Sequence, residues 1–128
     1  MRLLLDTHVL LWWQVDDPRL PHRIDRLILD PANEVFFSSV SLWEMAIKRS
    51  LGKLAFTGTL SGFAEKIRTS QGFLHLPLET PHLERLESLP NHHRDPFDRL
   101  LIAQAIELKA AAITNDPAWK RYRVSRRW

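Results

Sequence analysis

The chain has no cysteine. Disulfides and thiolate metal sites are therefore impossible, and nothing suggests an oxidising, exported scaffold. Glycine is scarce, with 4 in 128 residues, and none falls in a phosphate-cradling pattern. A P-loop or dinucleotide fingerprint is thereby excluded. No G-x-S-x-G motif and no H-x-x-x-H pair occurs, which leaves the hydrolase elbow and the helical zinc motif without support. No apolar run approaches the roughly 20 residues that cross a bilayer. One Arg precedes the N-terminal apolar stretch, which polar residues interrupt at once, so neither a leader nor a membrane span is expected. A cytoplasmic protein is the expectation.

With 45% hydrophobic residues, the chain can build a real core, and residues 1–128 are expected to form a single domain. The net charge is +3 but unevenly spread. Lys120, Arg121, Arg123, Arg126 and Arg127 crowd the C-terminus with no acid among them, and taking their five charges from +3 leaves −2 on the rest. A basic tail on a mildly acidic body suits an anionic polymer arriving from one side, and equally a solvated terminus.

What the chain does have is apolar runs that stop at acids. Leu3-Leu4-Leu5 ends at Asp6, Ala110–Thr114 leads to Asp116, and Val35–Ser38 precedes a helix bearing Glu44. Strands are expected at Arg2–Asp6, Val35–Ser38, Phe73–Leu78 and Ala110–Thr114, with a last one within Tyr122–Trp128. Helices are expected at Thr7–Trp13, Pro21–Leu29, Leu42–Leu51 (capped by Ser39 or Ser41), Leu60–Thr69, Pro81–Leu89 and Pro96–Lys109. The last has the clearest signals, with Asp95 as cap and Pro96 as first residue. This alternation predicts an α/β fold with a central, mainly parallel sheet and helices on both faces.

Each acid has a structural explanation. Asp6, Asp95 and Asp116 can cap helices, Asp98 can complete a capping box, and Glu44 near a helix start is favoured by the helix dipole. Their joint placement says more. In a parallel sheet all strand exits share one edge, where ligands bind, and there Asp6, Glu44, Asp98 and Asp116 can meet. Such a cluster repels itself unless it keeps protons or takes up cations. An all-oxygen donor set favours Mg²⁺ or Mn²⁺ over zinc. His92 and His93 are adjacent, a poor spacing for chelating one ion, and are not read as ligands.

The segments Leu3–His8 (Leu-Leu-Leu-Asp-Thr-His), Ser41–Glu44 (Ser-Leu-Trp-Glu), Arg94–Ala105 (Arg-Asp-Pro-Phe-Asp-Arg-Leu-Leu-Ile-Ala-Gln-Ala) and Thr114–Asp116 (Thr-Asn-Asp) resemble the PIN-domain family. More closely, they are similar to the VapC-type toxins of bacterial toxin–antitoxin pairs. The resemblance runs through almost the whole chain in the family's order. It implies a PIN-like α/β/α sandwich and a Mg²⁺- or Mn²⁺-dependent endoribonuclease, in which water activated on the ion attacks an RNA phosphodiester. It places the acidic residues on Asp6, Glu44, Asp98 and Asp116, with Asp95 as cap or outer-shell residue and Thr7 and Thr114 as hydroxyls near the acids. Asn115 stands where the family often has Arg, which turns attention to Arg94 and Arg99 for a contact to the substrate strand. The implied partners are an RNA substrate, a VapB-like antitoxin and a second copy in a homodimer. A catalytically silent PIN fold that only binds RNA or protein is the alternative, and the presence of all four acids argues against it.

Overall fold

The computed structural model describes residues 1–128. Five strands, β1 (Arg2–Leu5), β2 (Glu34–Ser38), β3 (Leu74–Leu76), β4 (Ala111–Ile113) and β5 (Ser125–Arg127), form one sheet in the order β3-β2-β1-β4-β5. Every pairing is parallel. The helices are α1 (Thr7–Gln14), α2 (His22–Leu29), α3 (Ser39–Ser50), α4 (Leu60–Gln71), α5 (Thr80–Ser88) and α6 (Pro96–Leu108), with a 3₁₀ turn at Pro117–Arg121. The result is an α/β/α sandwich, as the alternating pattern predicts.

Because strand side chains alternate, β1 feeds two cores. Leu3 and Leu5, beside Val35 and Phe37 of β2 and Ala111 and Ile113 of β4, pack against Val9, Leu10, Ile24, Ile28 and Ile67 of the first helical layer. Leu4 and Ala112 point the other way, onto Leu100, Leu101, Ile102, Trp119 and Tyr122. That is why Leu3-Leu4-Leu5 is uniformly apolar, since both faces of the central strand are covered. Each such leucine contributes about 1.5–3 kcal/mol. No helix is long and apolar enough to cross a membrane.

Most boundaries differ from expectation by one or two residues, and three elements show a local reason. Helix α3 begins at Ser39 because Ser38, not Ser39 or Ser41, is the cap: its Oγ accepts the Val40 N–H at 2.9 Å. Strand β3 stops at Leu76, since Pro77 has no N–H for the ladder. In the tail only Ser125–Arg127 is strand, because Tyr122 is buried at the end of the 3₁₀ turn.

Helix α6 ends on Lys109, held left-handed at φ 56°. A side chain there is strained where glycine is not. Lys109→Gly should therefore stabilise the protein by about 0.5–1 kcal/mol, read from the urea midpoint at unchanged slope. An unchanged or lower midpoint would show that Lys109 carries no such strain.

Candidate active site

The strand order reverses direction between β1 and β4, so their carboxyl ends border a crevice open to a ligand. Asp6 leaves β1 directly into it and is buried. Its Oδ1 accepts the His8 N–H at 3.1 Å, and its Oδ2 accepts the Thr114 hydroxyl at 2.6 Å. Thr114 follows β4, and its Oγ also accepts the Asp116 N–H at 3.1 Å. One hydroxyl thus ties the acid leaving β1 to the acid beyond β4.

Asp116 caps the 3₁₀ turn through Oδ1, which accepts the Ala118 N–H at 2.9 Å. Its Oδ2 lies 3.0 Å from His93 Nε2. Partial burial pushes this carboxyl up. The Ala118 N–H and His93 outweigh it, assisted by the charge of Arg126, and hold the group below its usual range.

Asp98 lies in the first turn of α6, which Asp95 caps by accepting the Phe97 and Asp98 N–H groups at 2.8 and 3.2 Å. A helix N-terminus favours an ionised Asp98 by up to about 1 kcal/mol. Burial wins, joined by the charges of Asp6, Asp95 and Glu44; although His93 opposes them, the carboxyl is pushed up to about 7. The ligand-capable atoms of His93, Asp98 and Asp116 lie within 4.8 Å of one another. Asp6 and Glu44 are outside that tight cluster yet close enough to act on Asp98 by charge.

Glu44 lies in the second turn of α3, later than a helix starting at Leu42 would put it, and is only 2% exposed. Its Oε2 receives the Lys48 ammonium at 2.5 Å, whereas its Oε1 is buried with no hydrogen-bond partner. Partial burial pulls the Lys48 pKa down; the hydrogen bond and charge of Glu44, and beyond it Asp95 and Asp98, leave it raised.

The supporting residues divide. Thr114 binds Asp6, but Thr7 donates to Ser41 Oγ at 2.9 Å and touches no carboxylate. Arg94 is exposed, and Arg99 donates to the Leu89 carbonyl at 3.3 Å. The cationic groups that act on the acids are instead Lys48 and Arg126. Lys48 was legible as an i,i+4 partner of Glu44. Arg126 and His93 were not, because only the fold brings them to this edge.

This donor set fits a hard divalent cation. It offers carboxylates from four parts of the fold (after β1, in α3, in α6 and after β4), one buried oxygen without a partner, and one carboxyl that keeps its proton to about 7 under burial and the charge of the others. A groove of about 650 Å³ lined among others by Thr7, Trp12, Met45, Phe56 and Phe63, with Lys53 and Lys66 along it, reaches Lys48, the partner of Glu44, although none of the four acids lines it.

The family model for the PIN domain matches residues 3–124. The fold is similar to that of VapBC2 from Rickettsia felis bound to a DNA fragment from their promoter, with TM-score 0.74 at 16% identity, covering 99% of this chain and 98% of that one. It is similar to VapBC-1 from nontypeable Haemophilus influenzae, with TM-score 0.68 at 16% identity over 99% and 97% of the two chains. FitAcB from Neisseria gonorrhoeae gives TM-score 0.64 at 18% identity over 97% and 95%. No curated protein matches the chain.

Proposed function

The chain belongs to the PIN domain family, and on that footing we propose that it is a VapC-type toxin, a Mg²⁺- or Mn²⁺-dependent endoribonuclease acting as one domain in the cytoplasm. The observation that carries this reading is the unresolved charge conflict at the β1/β4 edge, where Asp98 keeps its proton to about 7 and Glu44 Oε1 has no partner. Asp6, Glu44 and Asp98 would hold the metal, with Asp116 completing the site. Bound there, such an ion offsets phosphate charge in an in-line displacement and makes water a competent nucleophile at neutral pH.

The remaining roles fall to the chain. Thr114 fixes Asp6 and the backbone of Asp116 together, so neither acid must reorganise during reaction. Water oxygen joins phosphorus as the bond to the 3′ oxygen breaks, leaving 5′-phosphate and 3′-hydroxyl ends. Strand β5, with Arg126 and Arg127, pairs directly with β4, whose exit leads to Asp116. Lys120, Arg121 and Arg123 lie just before it in sequence. This basic edge gives an RNA backbone a track beside the acids.

The similar folds come from toxin–antitoxin complexes, which supports a VapB-like antitoxin as partner. The groove that reaches Lys48, part apolar and part basic, suits its inhibitory segment. An exposed stripe of Trp43, Ile47 and Leu51 along α3 and just past its end supports pairing of two copies as a homodimer.

The test is cleavage of a labelled structured RNA by purified chain in Mg²⁺, Mn²⁺ or EDTA, with Asp98→Asn as control. Cutting in either metal, abolished by EDTA and by the variant, is expected. Tight RNA binding with no cutting in any metal would replace the nuclease reading with a binding module.

A further inference from the structure

The His93 ring bridges the two acids of the tight cluster, with Nε2 at 3.0 Å from both Asp98 Oδ2 and Asp116 Oδ2. A His with two carboxylates at such distances invites description as a three-ligand metal site. The other ring nitrogen argues otherwise. The Asp95 backbone N–H points at His93 Nδ1 at 3.0 Å, and an amide N–H can only donate. Nδ1 must therefore accept, which leaves it bare and places the ring's proton on Nε2. A protonated nitrogen has no lone pair for a cation. It can, however, donate to two carboxylate oxygens at once.

We propose that His93 is a positioning residue: its Nε2 proton clamps Asp98 to Asp116 in the geometry that receives the metal, and His93 is not itself a ligand. This rests on the metal-site reading above and assigns a role inside it. The loop carrying the ring is fixed from behind. The hydroxyl of Tyr122, buried in the core, accepts the N–H groups of His92 at 3.1 Å and His93 at 2.9 Å. Asp95, whose N–H sets the tautomer, is pinned as the cap of α6. Packed Tyr122 thus sets the backbone, Asp95 sets the ring, and the ring sets the acids. Such outer partners commonly govern affinity as strongly as ligands do. With His93 as donor, the ligands that remain are all oxygen, which selects Mg²⁺ or Mn²⁺ over zinc or nickel.

The substitution that separates the two roles is His93→Gln. Its side-chain amide can present an N–H near the Nε2 position but cannot ligate through nitrogen. Mn²⁺ titrations followed by electron paramagnetic resonance should find Kd within about threefold of wild type for His93→Gln, and about 10- to 100-fold weaker for His93→Ala. Equal weakening in both variants, together with tight Zn²⁺ or Ni²⁺ binding that both lose, would make His93 a ligand and overturn the proposal. Unchanged Mn²⁺ affinity in His93→Ala would overturn it as well. A metal-independent readout keeps its failure distinct from that of the metal site. In the metal-free protein, nitrogen-15 spectra should show a single His93 tautomer with the proton on Nε2. A proton on Nδ1 or exchange between tautomers would refute the clamp, and a wild type that binds no Mn²⁺ despite the expected tautomer would refute the metal site instead.

Discussion

Asp98→Asn should lower RNA cleavage by about a thousandfold, a loss of some 4 kcal/mol of transition-state stabilisation, and should make the metal-free protein more stable at pH 7.5. Both effects come from one carboxyl. Asn keeps an oxygen that can accept from His93 Nε2 and an N–H that still reaches Asp95 Oδ1, so the fold at the start of α6 survives. What disappears is charge. In the folded chain Asp98 is pushed from 3.8 up to about 7 by burial and by Asp6, Asp95 and Glu44. The folded state therefore binds this proton more tightly than the unfolded state does. Its stabilising contribution is complete below pH 3.8 and is lost as pH rises through about 7, with an upper bound of about 4 kcal/mol. Thermal melts of metal-free wild type minus variant should accordingly fall across that window, by several degrees at the top of it. Adding Mg²⁺ should reverse the order, because binding to the folded state alone stabilises wild type by mass action and the variant far less. Melting curves that stay parallel from pH 4 to 8, or cleavage within tenfold of wild type, would remove Asp98 from the metal site.

Much of this arrangement was legible before the fold. Runs such as Leu3-Leu4-Leu5 and Ala111-Ala112-Ile113 read as strands because buried parallel strands have no polar face to show. Asp95-Pro96 marks the start of α6 to the residue, since Asp supplies the capping oxygen and Pro needs no N–H there. The acids at strand exits were legible as a group, although the same capping chemistry explains several of them singly. Asp116 does both, capping the 3₁₀ turn with one oxygen and meeting His93 with the other. What stayed hidden depends on contacts far apart in sequence. His93 reaches Asp116 across 23 positions and Thr114 reaches Asp6 across 108, and no local pattern encodes either contact. Thr7 shows the converse. It is adjacent to Asp6 in sequence, yet the turn into α1 directs its hydroxyl to Ser41.

Lys48→Met should destabilise the metal-free protein far more than loss of a half-exposed surface lysine would, and the reason lies in what it strands. Glu44 is 2% exposed, with one oxygen already unpartnered and the other held only by Lys48. Removing the ammonium leaves a buried carboxylate with no partner, and breaking a buried pair from one side costs about 3–5 kcal/mol. The Lys48 side chain is 36% exposed, so solvent screening reduces this to about 2–3 kcal/mol. Lys48 titrates above its ordinary 10.5 because Glu44 outweighs its burial. The contribution from the lysine is therefore complete at neutral pH and is lost as pH rises beyond 10.5. Urea unfolding at pH 7.5 without metal should show the loss, and the double variant Lys48→Met, Glu44→Gln should recover most of it, since a neutral amide tolerates burial better than a lone charge. Millimolar Mg²⁺ should rescue the single variant and not the double, because only the single one still presents a carboxylate for a cation to replace the ammonium. If the double variant were no more stable than Lys48→Met alone, the cost would lie in lost packing of the lysine stem, and Lys48 would not be the resident counter-charge of Glu44.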